Sequence, residues 1–229
     1  PPEVAGQLIR VLRARRGDKV VVLDNSGSEY LVELTHTEGK RVQGLVKKKN
    51  KSKGEPCVRL TLYQAILKED KFDFVLQKGT ELGVSTFVPF TCSYSVSSFP
   101  SPNKVKRWNR IVKEAAEQSR RPRLPNIQLA VDFASACKEA KLPGIIPWEK
   151  EKNVGLRKFL DQQKSPATSF SIFIGPEGGF SRKEIEIAQS MGIQPITLGD
   201  RILRAETASL AVISAIMYEE GQFEIQYVP

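Results

Sequence analysis

The sequence predicts an α/β protein with two regions, a small β-barrel over residues 1–65 and a mostly parallel α/β domain over residues 66–229. Three observations carry that expectation. Over the N-terminal region, short apolar runs recur with turn residues roughly every eight to twelve positions, the rhythm of a small barrel. From about residue 62, strand-like runs alternate with helix-period stretches, which is how a parallel sheet with crossover helices is written. In the C-terminal region a pair of strands runs directly into glycine, at the strand ends where open α/β sheets bind ligands.

The elements follow in order. Val20-Val21-Val22-Leu23 and Tyr30-Leu31-Val32-Glu33-Leu34 flank Asp24-Asn25-Ser26-Gly27, a hairpin-type turn. Val42 to Val46 and Cys57 to Leu62 add barrel strands, and Gln7 to Arg13 predicts one or two helical turns. Lys47 to Gly54 holds five lysines in eight residues and predicts a flexible basic loop. In the C-terminal region, strands are expected at Leu62–Ile66, Thr86–Phe90, Gln128–Val131, Gly144–Trp148, Ser169–Ile174 and Gln194–Leu198. Lys71 to Leu82 is helical, with Phe72, Val75, Leu76 and Leu82 on one face and Gly83 as its stop. Lys104 to Ser119 is a helix that turns Val105, Trp108, Ile111, Val112, Ala115 and Ala116 inward. Lys183 to Met191 and Thr207 to Tyr218 complete the helices.

Composition narrows the function. Hydrophobic residues make up 40% and charged residues 27% of 229 residues, as in a soluble globular protein. No apolar run approaches the roughly 20 residues of a membrane span. Pro1-Pro2-Glu3 lacks the basic and apolar regions of a signal peptide, so export is not expected. Cys57, Cys92 and Cys137 are odd in number and far apart, which suggests neither a disulfide framework nor a zinc site and fits a reducing cytoplasm. His36 is the lone histidine, which argues against a multi-histidine metal site and a Ser-His-Asp triad. The net charge of +9 is held in two blocks. Residues 1–65 carry 13 basic and 7 acidic side chains, and residues 100–125 carry 8 and 2. Residues 126–229 carry 11 and 13. Basic blocks beside a nearly neutral region suit a nucleic-acid partner.

Two segments carry the chemistry. In Ile174-Gly175-Pro176-Glu177-Gly178-Gly179-Phe180-Ser181 a buried strand opens into a loop of three glycines, and Ser181 with Glu184 forms a capping box for the next helix. Glycine lets the backbone approach a ligand closely. The loop is neither a phosphate loop, lacking Gly-Lys-Ser/Thr, nor a GxGxxG fingerprint. In Leu198-Gly199-Asp200-Arg201-Ile202-Leu203-Arg204-Ala205-Glu206-Thr207-Ala208, Ile202 and Leu203 are apolar where a surface loop is normally polar, and they could wall a flat, uncharged ring. Arg204 and Glu206 flank that wall. On residue chemistry alone, Glu206 could equally cap a helix and Arg204 could pair with an acidic neighbour.

These two segments together resemble the RsmE family, rRNA uridine-N3 methyltransferases of the SPOUT superfamily. Gln77-Lys78-Gly79-Thr80-Glu81-Leu82-Gly83-Val84, Arg107-Trp108, Glu114-Ala115-Ala116-Glu117-Gln118-Ser119-Arg120-Arg121, and Arg10-Val11-Leu12-Arg13 with Gly17-Asp18 match it in order along almost the whole chain. Asp200 and Ala205 stand where the family usually has Pro and Thr, and Ser93-Tyr94-Ser95 replaces a usual Glu-Arg-Ser. The resemblance implies a PUA-like barrel that holds RNA, a trefoil-knotted α/β domain that binds S-adenosylmethionine, a homodimer, and a small-subunit rRNA substrate methylated to 3-methyluridine. It implies that Ile174, Gly175, Gly179, Leu198, Gly199, Ile202, Leu203 and Thr207 bind the cofactor. Arg204, Glu206 and Glu177 then serve the reaction, and Arg10, Arg13, Arg15, Arg16, Arg120 and Arg121 grip RNA. No metal is expected. Chemistry adds one point: methylation of uracil at carbon 5 generally needs a cysteine nucleophile, and none of the three cysteines stands in a catalytic-looking loop, which favours the ring nitrogen. A non-catalytic RNA-binding homologue with a degenerate pocket and an enzyme acting on another RNA are the alternatives.

Overall fold

The computed structural model describes residues 2–37, 41–68, 70–163 and 168–224. They form two compact units: residues 1–55 with 120–123, and residues 56–119 with 124–229.

In the N-terminal unit a short helix α1 (Pro2–Gly6) leads into a π-helical turn (Gln7–Val11). Strands β1 (Lys19–Leu23), β2 (Ser28–His36) and β3 (Gln43–Lys51) then make an antiparallel sheet in sequence order. The β1–β2 turn forms as its residues dictate. Asn25 and Gly27 take positive φ of 66° and 94°, and the Asp24 carboxylate accepts from the Ser26 N–H and the Tyr30 hydroxyl. His36 ends β2. The lysine run departs from expectation. Lys47 to Lys51 are not a loop but the second half of β3, with Lys48 to Lys51 paired with Ser28 to Leu31 and Lys47 at the register shift. Lys47 pairs with Glu33 at 3.1 Å, and the Lys49 ammonium lies 5.3 Å from the Tyr30 ring centre. Lysines suit such an edge strand because they discourage pairing with another chain.

The C-terminal unit is built on a parallel sheet of order β10-β8-β9-β4-β5-β6, with β7 also pairing β5. Its strands are β4 (Arg59–Ala65), β5 (Val84–Thr91), β6 (Asn126–Ile127), β7 (Val131–Asp132), β8 (Gly144–Pro147), β9 (Ser169–Ile174) and β10 (Ile193–Ile196). Cys57 to Leu62 is therefore not a barrel strand. It runs into the central strand of the parallel sheet, between β9 and β5. Alternation along β4 explains why: Leu60 and Leu62 face one core and Tyr63 and Ala65 the other, so both faces are apolar. The strand expected at Gln128–Val131 is instead two short pairings with β5, through β6 and β7.

Helices cover both faces. On one side α2 (Asp70–Glu81), α3 (Pro102–Gln118) and α7 (Ala205–Glu219) bury Phe72, Val75, Leu76, Trp108, Val112, Ile213 and Ile216. On the other, α4 (Phe133–Glu139) and α6 (Arg182–Ser190) bury Phe133, Ala136, Ile185 and Ala188 around Phe90, Phe173 and Phe180. A further helix, α5 (Leu156–Asp161), precedes β9. Ser101 caps α3 with Pro102 next, and Asp132 caps α4 through the Ser135 N–H at 2.9 Å. Gly83 ends α2 with φ +100°. Among the described residues no helix is long and apolar enough to cross a membrane.

Candidate active site

The carboxyl ends of β8, β9 and β10 surround a cleft of about 900 Å³, inside the C-terminal unit. Its first wall is the glycine-rich loop after β9. Gly175 approaches the Phe180 ring so closely that a Cβ there would lie 2.9 Å from a ring carbon. Phe180 cannot easily retreat, since it is held among Phe90 and Phe133. The Gly179 N–H donates to the Pro176 carbonyl at 2.9 Å, and Gly179 takes φ +70°. Ser181 and Glu184 close the reciprocal cap of α6 as the sequence predicts.

The second wall is the loop from Thr197 to Arg204. The Gly199 N–H donates to the Thr197 hydroxyl at 3.2 Å, and Gly199 takes φ +95° with nothing within 4 Å of where a Cβ would stand. Leu198 and Leu203 pack against the core, while Ile202 is 87% exposed. The backbone of Arg201, Ile202 and Leu203 makes no hydrogen bond to another described residue. Arg204 stands at the N-cap of α7 without a side-chain capping bond. Its guanidinium has no ion-pair partner among the described residues.

Two further sections of the cleft were not legible in the sequence. Pro147, which ends β8, and Trp148, Glu149 and Lys152 beyond it form a third wall. Lys71, from the first turn of α2, also lines the cleft. Its ammonium lies 3.5 Å from Glu177 and 3.8 Å from Glu206, so one cation joins a carboxylate of the glycine-rich wall to one in the first turn of α7. Glu206 is 15% exposed, and its second carboxylate oxygen is buried with no hydrogen-bond partner among the described residues.

Of the cofactor residues expected, Ile174, Gly175, Gly179, Leu198, Gly199, Ile202 and Leu203 line the cleft. Thr207 is exposed in the first turn of α7 and does not. Arg204 and Glu177 line it, whereas Glu206 reaches it through Lys71. No cysteine or histidine is among the lining residues. Burial pushes the Cys137 thiol up to about 12, with Glu184 and Asp132 adding to the effect, and burial also raises Cys92. Neither favours a thiolate.

The expected RNA-gripping arginines lie in the N-terminal unit. Arg10, Arg13, Arg15, Arg16 and Arg120 are exposed. Arg121 is not: it is 4% exposed, and its guanidinium donates to Glu55 at 2.7 Å. It is committed to the packing of its own unit, which corrects its expected place among RNA contacts. The cations of α3, in the C-terminal unit, are also largely answered within it. Arg107 pairs with Asp70 and Asp73, Arg110 with Glu114, and Lys113 with Glu117.

Known proteins agree with this architecture. Residues 53–217 match the RNA methyltransferase domain model, and residues 8–47 match the RNA methyltransferase PUA domain model. Among curated proteins, ribosomal RNA small subunit methyltransferase E of Synechocystis is 35% identical over 92% of this chain and 70% of its own length. The Mesomycoplasma hyopneumoniae protein of that name is 36% identical over 90% of this chain and 88% of its own. The solved structure of the Neisseria gonorrhoeae enzyme, bound to S-adenosyl methionine, superposes with a TM-score of 0.86 at 29% identity. It covers 96% of this chain and 90% of that one. A Legionella pneumophila methyltransferase, in complex with the same cofactor, gives 0.85 at 26%, covering 96% and 90%. With a domain model spanning most of its length and relatives above 30% identity over at least nine-tenths of it, the chain belongs to the ribosomal RNA small subunit methyltransferase E family.

Proposed function

We propose that this protein transfers a methyl group from S-adenosylmethionine to N3 of a uridine in small-subunit ribosomal RNA, giving 3-methyluridine. The observation that carries the reading is the cleft itself: an apolar wall whose backbone groups and whose Arg204 have no partner among the described residues, and a lining without cysteine or histidine. The residues fit the cofactor. Open space over Gly199 and the exposed Ile202 suit a flat ring, and the unbonded N–H and C=O groups of Arg201 to Leu203 suit the polar edge of an adenine. Ile174, Gly175, Leu198, Gly199, Ile202 and Leu203 would hold it. When bound, the cofactor supplies an electrophilic methyl on a sulfonium.

The chain's own groups then position the base and manage its charge. An imide nitrogen needs no covalent help; it must lose its proton and face the methyl donor. The Arg204 guanidinium favours the deprotonated imide electrostatically. Lys71 offsets Glu177 and Glu206, which would otherwise repel that anion. The proton leaves to solvent or to a cleft carboxylate as the N–CH3 bond forms and the S–CH3 bond breaks. The absence of a cysteine from the cleft lining supports nitrogen over carbon 5 as the target.

The arginines of the N-terminal unit supply phosphate contacts. A homodimer belongs to the proposal. Leu210, Ala211, Ala215 and Tyr218 are exposed or half-exposed along α7, an apolar stripe suited to a second copy. The family's trefoil knot belongs to it too, and the out-of-sequence order β10-β8-β9 supports it. So does a cytoplasmic location. Calorimetry with S-adenosylmethionine tests the reading. One site per chain is expected, lost on Ile202→Asp. No heat from the wild-type protein would instead favour a non-catalytic RNA-binding homologue, for which Asp200 and Ala205, both on the cleft wall, would be the reason.

A further inference from the structure

Beside the glycine-rich wall lies a loop that the functional reading leaves without a role. It follows β5, and it holds Tyr94, Val96 and Phe99, which are 52%, 68% and 55% exposed. Three large apolar side chains left in water within six residues are unusual for a connection on a protein surface. The stretch Cys92 to Asn103 contains no lysine or arginine, so charge is not what it offers a partner.

This loop is held firmly where it meets the cleft. Tyr94 Cβ and Cγ lie 2.9 and 3.6 Å from the position a Gly178 Cβ would take, so Gly178 is glycine because Tyr94 rests on it. Gly178 itself lines the cleft. On one side of Tyr94, the Ser93 N–H donates to Glu184 at 2.7 Å. The other Glu184 oxygen accepts from the Ser181 N–H at 2.8 Å and hydroxyl at 2.7 Å. One buried carboxylate thus ties this loop to the cleft's glycine-rich wall. On the other side, Cys92 and Ser95 close a turn. The Ser95 N–H donates to the Cys92 carbonyl at 3.0 Å, and the Cys92 N–H to the Ser95 hydroxyl at 2.9 Å. The Tyr94 hydroxyl has no hydrogen-bond partner among the described residues. Tyr94 is a half-exposed aromatic on a pinned turn against the rim of the cleft.

We propose that Tyr94 is a stacking platform for an unpaired base of the substrate RNA, next to the nucleotide that enters the cleft. The proposal rests on the methyltransferase reading. Single-stranded RNA is recognised by stacking its bases on aromatic side chains, and such contacts tolerate many sequences because every base has a π-face. A platform fixed in advance loses little entropy when a base arrives.

Methyl-transfer kinetics on a small-subunit rRNA transcript, with fluorescence anisotropy on the same RNA, test it. Tyr94→Ala is expected to raise the RNA KM and Kd roughly ten-fold, as loss of one stacked base does, while the cofactor KM stays unchanged. Tyr94→Phe restores both RNA constants. Tyr94→Leu separates the roles, because leucine still packs on Gly178 but cannot stack; it is expected to behave as Ala toward RNA. Wild-type RNA constants in Tyr94→Leu or Tyr94→Ala, or a raised cofactor KM as their main effect, would overturn the proposal and leave Tyr94 a packing residue. A wild-type protein that binds the RNA but transfers no methyl group would sink the enzyme reading, while the anisotropy series still decides on Tyr94.

Discussion

Replacing Glu184 by Gln should destabilise the protein by about 2 kcal/mol, and the structure says why. The side chain is 6% exposed and its carboxylate accepts three hydrogen bonds, from the Ser93 N–H, the Ser181 N–H and the Ser181 hydroxyl. Burial alone would push its pKa up, yet the donors from Ser93 and Ser181 outweigh burial and hold it below the ordinary value of 4.5. Glutamine keeps the shape but turns one acceptor into an NH2 donor. That NH2 must face Ser93 or Ser181, so a backbone N–H loses its partner. A hydrogen bond to a charged group contributes about 1.5–3 kcal/mol net, and relief of burying a charge offsets some of that. For a chain of this size 2 kcal/mol lowers Tm by about 4–8 °C. The pH dependence has a definite sign. A depressed pKa contributes stability that is present above the unfolded value and lost as the pH falls through the folded one. The gap between wild type and Glu184→Gln should therefore be flat around neutrality and close below about pH 4.5. Thermal unfolding followed by circular dichroism across pH measures it. A gap absent at neutral pH, or one that persists unchanged in acid, would refute the argument.

Three other outcomes are expected. Arg121→Ala should cost about 3–5 kcal/mol in denaturant unfolding, because it strands Glu55 beside a buried site, while exposed Arg120→Ala should stay within about 0.5 kcal/mol; the reverse order would restore Arg121 to the RNA surface. Arg204→Ala should abolish methyl transfer while calorimetry shows nearly unchanged cofactor affinity, and a fully active variant would remove Arg204 from the site. Arg10→Ala with Arg13→Ala should weaken RNA binding and reduce the slope of log K against log salt by about 1.4–1.8; an unchanged slope would count against the N-terminal unit as the RNA grip.

How much of the molecule is legible in its sequence depends on how local each signal is. The Ser181–Glu184 cap, the Gly83 stop and the Asp24–Gly27 turn are legible because the groups that make them lie within a few residues of each other. Central strand β4 is harder. Leu60 to Ile66 sets apolar residues on both faces, and such a pattern does not say which neighbours the strand will pair with, so one strand reads as both the end of a barrel and the start of a sheet. The lysines of β3 suggest a loop because charge usually marks solvent, yet an edge strand is solvated too. Helices α4 and α5, of seven and six residues, are too short to show a period. In the site, the two glycine-bearing strand ends announce a pocket. The second use of Glu184, 91 residues from Ser93 in sequence, does not announce itself, nor does the reach of Lys71 to two carboxylates. Such contacts come from the sheet order, which brings β5 and β9 to either side of β4.

The central claim is the identity of the transferred group and of the atom that receives it. The most direct measurement incubates the protein with small-subunit rRNA and methyl-labelled S-adenosylmethionine, digests the RNA to nucleosides and identifies the labelled product by mass spectrometry. The account predicts 3-methyluridine as the labelled nucleoside, and its loss in Arg204→Ala. Label on a ribose or at carbon 5, or no labelled nucleoside at all, would contradict it.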